Sequence, residues 1–427
     1  MKLKKKELLL VGLTLFSMFF GAGNLIFPPF LGEQAGQASW LAALGFILSA
    51  VGLPILGVIA VAKSNGLTHL ATRVHPRFAS IFTLFIYLSI GPCLAIPRTA
   101  STSYEMTIVP FVGQYATSLL QLIYSLVFFS VALYLALNPE KLSDRLGKVL
   151  CPLLLSLIMI IFLGCFFIDN QGLGVPTGSY SEGQFVQGFL DGYQTMDTIA
   201  ALNFGIIIAL NIRSKGITDS KEVVISTMKA GFIAGICLAS VYIILIIIGS
   251  LSGSVNGYHM NGAQTLMAFV QYLFKDMGMV ILGAIFFIAC LNTCIGLICC
   301  CSEYFHELMP KISYRKWAFI FALVSMLISN IGLDMILKIS VPILNLLYPL
   351  AIILIVLAFI DPWIHHYQYM YPITVSLTGL GSFLELLPII GFDFSFLHKI
   401  PLFDYSLGWL LFSVIGILIG LLFRKRV

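Results

Sequence analysis

The stretch Phe19-Phe20-Gly21-Ala22-Gly23-Asn24-Leu25-Ile26-Phe27-Pro28-Pro29 interrupts an apolar run that extends from residue 7 to residue 31. Two glycines around one small residue unwind at little steric cost and let a ligand approach the backbone. Two prolines a turn later remove helix donors, and Asn24 can hydrogen-bond a freed backbone group. A second apolar run carries Gly188-Phe189-Leu190-Asp191-Gly192-Tyr193-Gln194-Thr195-Met196-Asp197-Thr198-Ile199-Ala200-Ala201-Leu202-Asn203. Carboxylates, threonines and amides inside such a run are costly at membrane depth and functional by default.

The rest of the chain is the setting for these interruptions. Of 427 residues, 59% are apolar and only 10% are charged, against roughly 25% charged in a soluble domain. Mean hydropathy is +0.99. A water-soluble globular protein is excluded and a disulfide-stapled secreted one is disfavoured. A net charge of +5 is too small for a nucleic-acid binder. A membrane-spanning helix needs roughly 20 mostly apolar residues. Twelve runs qualify as candidate spans: 7–31, 38–62, 78–104, 114–137, 146–168, 188–212, 223–250, 277–302, 316–333, 335–360, 370–390 and 405–423. A barrel would show alternating segments of about ten residues, and these runs do not alternate. The expected fold is an all-α polytopic membrane protein of 12 helices.

Charge placement gives the expected orientation. With the N-terminus in the cytoplasm, 20 of the 24 Lys and Arg residues fall on the inner side, from Lys2 and Lys4-Lys5-Lys6 to Arg424-Lys425-Arg426. Arg98, Lys275, Lys338 and Lys399 are the exceptions, and acids such as Glu33, Asp169 and Asp393 fall in outer segments. This is the positive-inside pattern, with both termini cytoplasmic. The N-terminal run continues through Ile26-Phe27-Pro28-Pro29 without a polar cleavage region, so it reads as a first span and not a signal peptide.

The interrupted runs are the first and the sixth. Five is an odd shift, so the two halves enter the membrane from opposite sides. The expected organisation is one transmembrane domain made of an inverted repeat, residues 7–168 and 188–360, with helices 11 and 12 at 370–423 appended. Interrupted spans at matching positions of two halves point to a transporter's binding site. The N-terminus of a half-helix after Gly23 offers unpaired N–H groups to an anion such as a carboxylate. The C-terminal ends of the other half-helices offer carbonyls to an ammonium group or a cation. Asn292 and Thr293 are the only strongly polar pair at midplane depth in the eighth span. Their oxygens can complete a Na⁺ shell begun by carbonyls near Ser17 and Phe20, since hard cations take oxygen ligands. A hydroxyl bonding back to its own helix is the bland alternative.

At these residues the chain resembles the branched-chain amino acid:cation symporter family. The matching stretches are residues 19–29, Gly91-Pro92-Cys93-Leu94-Ala95-Ile96-Pro97-Arg98-Thr99 and Lys141-Leu142-Ser143-Asp144-Arg145-Leu146-Gly147-Lys148. Thr195-Met196-Asp197 with Ala200-Ala201-Leu202, and Cys301-Ser302-Glu303-Tyr304-Phe305, complete the match. The resemblance implies uptake of leucine, isoleucine and valine with Na⁺ or H⁺ on a leucine-transporter-like inverted-repeat fold. One departure is that Asn292 stands where a second hydroxyl residue is expected beside Thr293.

The candidate substrate site comprises Gly21, Ala22, Gly23, Asn24, Met196, Asp197, Ala200, Phe286 and Cys290, with Phe19, Phe20, Ile199 and Phe287 as further apolar wall. One methylene is worth only about 1–3 kcal/mol in such a pocket, so one site should accept all three branched side chains. The ion set is Ser17, Phe20, Asn292 and Thr293. Sodium is the expected ion, because no Lys or His falls at midplane to replace its charge. Asp197, a carboxylate at that depth, keeps proton-coupled symport of the same or another small zwitterion as the alternative. A channel would show a continuous polar stripe, whereas polarity here is confined to spans one, six and eight. Arg98, near the outer end of the third span, is either an outer gate with Glu105, Asp191 or Asp197, or a side chain snorkelling to the interface.

The nine cysteines read as small core fillers, and Tyr367, Tyr369 and Tyr371 beside Trp363 as an interfacial aromatic belt. No His, Cys or carboxylate constellation suits intramembrane catalysis, so no enzyme activity is expected. No cofactor beyond the coupling ion, no nucleic acid and no obligate protein partner is expected. The expected location is a bacterial cytoplasmic membrane.

Overall fold

The computed structural model describes residues 3–167, 172–259, 261–392 and 394–424. Lys2, Asp169, Asp393, Lys425 and Arg426 of the charge pattern lie outside the described residues, as does the last residue of the fifth run. Among the described residues the only strand pairing is an isolated bridge between Tyr367 and Arg424. Each of the twelve runs is helical. The first is two helices, Lys5–Phe19 and Ala22–Ala35, and the sixth is Gln184–Tyr193 and Asp197–Arg213, bent by 42°. The second covers 39–63, with a π turn at Leu48–Gly52. The third is Pro76–Leu88, a π segment Ser89–Cys93 and Ala95–Thr107. The seventh is Ser220–Asn256, the eighth lies in Gly262–Leu308, and the tenth is Leu333–Ile364.

Among the described residues, length and composition alone mark eight helical stretches able to cross a membrane, nine with the bent sixth span. Lys5–Phe19, Tyr314–Ser329 and Trp409–Leu421, at 15, 16 and 13 residues, fall short of the roughly 20 that a crossing takes. The first of them is continued by Ala22–Ala35 beyond the break.

Two elements depart from the expected map. The helix starting at Gly262 continues into the eighth span through a break at Lys275 (φ 51, ψ −137), so residues 262–274 form a helix where a loop was expected. Asn261 caps it by accepting from the Gln264 amide at 3.0 Å, and it buries Leu266, Phe269 and Val270 on one side. An amphipathic helix of this length has no long apolar run to betray it. The third span is also broken: Gly91 is non-helical (φ −85, ψ −126) and Pro92 follows it. The aromatic belt is only partly present. Trp363 and Tyr369 are exposed, but Tyr371 is buried, donating to Asp361 at 2.9 Å and accepting from Arg73 at 2.9 Å. The Arg73–Asp361 ion pair at 3.1 Å draws that hydroxyl inward.

Small residues set how the broken spans pack. A Cβ on Gly249 would lie 2.0 Å from the Pro29 carbonyl oxygen, and one on Gly32 would lie 2.1 Å from that of Ile246. The outer half of the first span therefore lies backbone to backbone against the seventh. The outer half of the sixth lies as closely against the second, since Cβ atoms on Gly45 and Gly188 would be 2.0 Å and 2.1 Å from the carbonyls of Phe185 and Ala42. The inner halves keep the same partners, Gly12 against Ile233 and Gly57 against Ala201. Glu33, buried at the outer half of the first span, fastens the 262–274 helix to it. Its Oε1 accepts from the His259 amide at 2.8 Å and lies 2.7 Å from His259 Nδ1, and its Oε2 accepts from Thr265 Oγ1. A buried carboxylate is tolerated because its lone pairs are taken.

These contacts make a paired expectation on one helix. Gly249→Ala should lower the thermal unfolding midpoint, since overpacking costs typically about 1–3 kcal/mol. Gly231→Ala meets nothing nearer than Ile55 Cγ2 at 3.8 Å and should hold or raise the midpoint, Ala being about 0.8–1.0 kcal/mol better than Gly inside a helix. Fluorescence-monitored melting of the detergent-purified protein measures both. Equal midpoints would mean that the seventh span does not rest on the Pro29 backbone.

Candidate substrate site

The site is built where the first and sixth spans break. Helix Lys5–Phe19 ends as Phe20 turns to ψ 89, Gly21 is extended (φ −120, ψ −155), and a helix restarts at Ala22. The Gly21 amide donates to Asn24 Oδ1 at 3.0 Å instead of to the Ser17 carbonyl four residues back. That swap caps the outer half-helix and frees the Ser17 carbonyl. Asn24 Nδ2 reaches the sixth and seventh spans, donating to Asp197 Oδ2 at 2.5 Å and to the Tyr242 hydroxyl. Tyr242 in turn donates to Asp197 Oδ2 at 2.9 Å. In the sixth span Met196 is held at φ 68 and Asp197 opens the inner half-helix. A non-glycine residue in the left-handed region is strained by roughly 1–3 kcal/mol, and such residues cluster at functional sites.

These breaks face a narrow cavity of about 30 Å³. Gly21, Ala22, Gly23, Asn24, Met196, Asp197 and Ala200 all line it, and so do Phe19 and Thr293. Phe286 and Cys290 do not line it; both are fully buried. Helical geometry accounts for this: Phe286 sits two turns beyond Thr293 on the same helix, and Cys290 is rotated about 60° from it. Sequence reasoning missed Met18, Ile90, Ala95, Thr99, Thr195 and Leu297, which complete the lining. The Gly91-Pro92 pair was the available signal that the third span also turns toward the site.

Arg98 is placed differently from either expectation. It is buried, so it does not snorkel, and it lines the cavity at the level of the breaks. A Cβ on Gly23 would lie 2.8 Å from its Nη2. Nη1 and Nη2 both point at the Gln194 carbonyl, at 3.4 Å and 3.5 Å. The expected gate pairs are not formed: among the described residues no carboxylate oxygen lies within 4.0 Å of the guanidinium. Asp191 is turned to Tyr180 and Gln187 instead, accepting at 2.5 Å and 3.0 Å. Glu105 is half-buried two turns further along the third span.

The helices that carry the candidate ion residues touch at the first break. A Cβ on Gly21 would lie 2.7 Å from Thr293 Oγ1, and one on Gly296 would lie 2.9 Å from Met18 Cγ. Ser17 Oγ, both amide atoms of Asn292 and Thr293 Oγ1 are buried without a hydrogen-bond partner, as are both amide atoms of Asn203. An unpaired buried polar group costs about 1–3 kcal/mol, so each of these atoms calls for a partner. The oxygens among these atoms are of the neutral kind that suits a hard cation, whereas the two amide nitrogens are donors. Among the described residues no group of three His, Cys, Asp or Glu is placed to hold a metal. Cys299, Cys300 and Cys301 are fully buried.

Solved structures with this architecture include MhsT in complex with L-phenylalanine, at TM-score 0.61 and 17% identity over 98% of each chain. A Na⁺-coupled sialic acid symporter matches at TM-score 0.62 and 14% identity, over 98% of this chain and 91% of that one. The fold is the leucine-transporter-like one. Nearer in sequence, the branched-chain amino acid permease BraB of Bacillus subtilis is 43% identical over 97% of this chain and 95% of its own. The branched-chain amino acid transport system 2 carrier protein of Pseudomonas aeruginosa is 43% identical over 96% and 94%. Permease BrnQ of Escherichia coli is 37% identical over 99% and 97%. Residues 4–427 match the family model described as branched-chain amino acid transport protein, and the chain belongs to that family.

Proposed function

We propose that the protein is a secondary active transporter that imports leucine, isoleucine and valine by symport with Na⁺ across a bacterial cytoplasmic membrane, with both termini inside. The observation that carries this reading is the Asn24–Asp197–Tyr242 network, which joins the two broken spans around one cavity. The outer half-helix offers the unpaired amides of its first turn to a carboxylate. Asp197 and the carbonyls of the breaks offer the opposite polarity to an ammonium group. Met18, Phe19, Ile90, Met196 and Leu297 supply an apolar wall for a branched side chain. The relatives' names, permeases and carriers for branched-chain amino acids, agree with that wall.

Na⁺ is assigned to the freed Ser17 carbonyl, Phe20, Asn292 and Thr293, supported by the unpartnered atoms there. A cation moving inward gains about 2.3 kcal/mol per 100 mV, enough for roughly 50-fold accumulation. We assign residues 7–168 and 188–360 to the two inverted repeats. Under a five-span shift, contact of the first span with the seventh corresponds to contact of the sixth with the second, and both contacts are made through glycines. A cavity of about 30 Å³ has room for about two waters, so a leucine enters only when the walls part. Alternating exposure of the site to the two sides follows from that. Proton coupling is the second reading, favoured by the carboxylate of Asp197 at the centre of the network.

Uptake of labelled leucine into proteoliposomes separates these readings. Na⁺-driven uptake should exceed uptake without a gradient about tenfold or more, and a proton gradient alone should do little. Stimulation by the proton gradient alone would move the coupling role to Asp197, and uptake indifferent to both gradients would end the symport proposal. Asn292→Ala combined with Thr293→Ala should raise the Na⁺ concentration for half-maximal uptake about 10-fold to 100-fold, the equivalent of one or two bonds to a charge. Leucine affinity at saturating Na⁺ should change less than threefold. Equal losses of both would remove the ion assignment.

A further inference from the structure

We infer that Arg98 holds the carboxylate of the transported amino acid. Its guanidinium is buried in the third span and has five N–H donors that it cannot shed by deprotonation. Among the described residues only two are engaged, both with the single carbonyl of Gln194 at 3.4 Å and 3.5 Å, longer than a good N–H···O bond of about 2.7–3.2 Å. No carboxylate neutralises it at close range. A permanent charge in a membrane interior is tolerated when a counter-charge faces it; Asp197 shares the cavity, but its Oδ2 is held by Asn24 and Tyr242 and it makes no ion pair with the guanidinium. The missing close partner is therefore supplied by what enters the cavity.

The position favours a carboxylate over any other anion of that size. Nη2 lies against Gly23, the second residue of the half-helix Ala22–Ala35, where the first-turn amides are unpaired. Guanidinium and helix end thus approach one small volume from two sides. Only glycine at 23 leaves room, since a Cβ there would lie 2.8 Å from Nη2 and 3.2 Å from the Gln194 oxygen. A guanidinium fork matches the two oxygens of a carboxylate in a bidentate pair. The role differs from a gate: a gate residue pairs with the protein's own acid, whereas Arg98 is left to pair with the cargo. A substrate must then carry its acid at a fixed distance from the ammonium end at Asp197, which selects α-amino acids over amines.

This assignment rests on the reading of the cargo as an amino acid, and the test separates the two. Leucine and leucinamide, which lacks the carboxylate, are titrated by calorimetry into the purified full-length protein in Na⁺ buffer. The titration is repeated with Arg98→Gln and Arg98→Lys. The wild type should bind leucine at least about 100-fold more tightly than leucinamide. Arg98→Gln should weaken leucine about 30-fold or more and leucinamide less than threefold, with Arg98→Lys in between for leucine. Retained leucinamide binding also shows that the variants are folded. Equal weakening of both ligands, or a leucine loss under threefold, would overturn the role of Arg98 and leave the transport proposal standing. A wild type that binds neither ligand would overturn the amino acid reading and this assignment with it.

Discussion

Asn24 divides one side chain among three helices, and the architecture of the site depends on that division. Its oxygen caps the half-helix that starts at Ala22, while its nitrogen reaches Asp197 and Tyr242. A helix broken in a membrane exposes backbone groups that lipid cannot satisfy, so each break needs a partner inside the protein. Here the two breaks satisfy one another. The amide that stabilises the first also receives the carboxylate that opens the second inner half-helix. Removing either group would leave the other with Tyr242 as its remaining side-chain partner, so the direct bond that ties the two spans across 173 residues of sequence would be lost.

Around this link the helices fall into two sets. Glycines join the first span to the seventh and the sixth to the second, with backbones too close for one helix to slide past its mate. The third and eighth spans bring Arg98, Thr99, Thr293 and Leu297 to the opposite wall. At the cavity the two groups meet through side chains, whereas further out the 262–274 helix that leads into the eighth span packs on the first by its backbone, where a Cβ on Gly262 would lie 1.8 Å from the Ile26 carbonyl oxygen. Side-chain contacts can be exchanged at lower cost than backbone interlocks, so the cavity lies at the seam most able to open.

Much of this is legible in the amino-acid sequence. Glycines, amides and carboxylates inside apolar runs locate both breaks and the Asn292-Thr293 pair, because membrane depth makes each polar atom an exception. Three things are not legible there. Tyr242 reads as one more aromatic core residue, since its hydroxyl matters only when Asp197 lies opposite. Helical phase separates Thr293 from Cys290 by a rotation that span boundaries uncertain by a few residues do not fix. The burial of Arg98 is hidden because it depends on which neighbours face it across the Gly91-Pro92 break, while a count along a straight helix puts it near the surface.

The outer half of the third span, Ala95–Thr107, also constrains how the protein is made. Its sequence, Ala-Ile-Pro-Arg-Thr-Ala-Ser-Thr-Ser-Tyr-Glu-Met-Thr, is poor in apolar side chains, yet eleven of its thirteen residues are buried. Placing an arginine at the centre of an inserted helix costs about 2.5–3.5 kcal/mol on a translocon scale, so this segment cannot partition into lipid on its own strength. Its hydroxyls bond to partners made later: Ser103 to Tyr124 at 2.5 Å, Thr107 to the Gly283 carbonyl at 3.2 Å and Ser101 to the Ser329 carbonyl at 2.8 Å. The last of these leaves the ribosome more than two hundred residues after the helix that needs it. The third span as a whole is apolar enough to cross, but its outer half gains its last hydrogen-bond partner only when the ninth is synthesised, so the walls of the cavity close late in biogenesis.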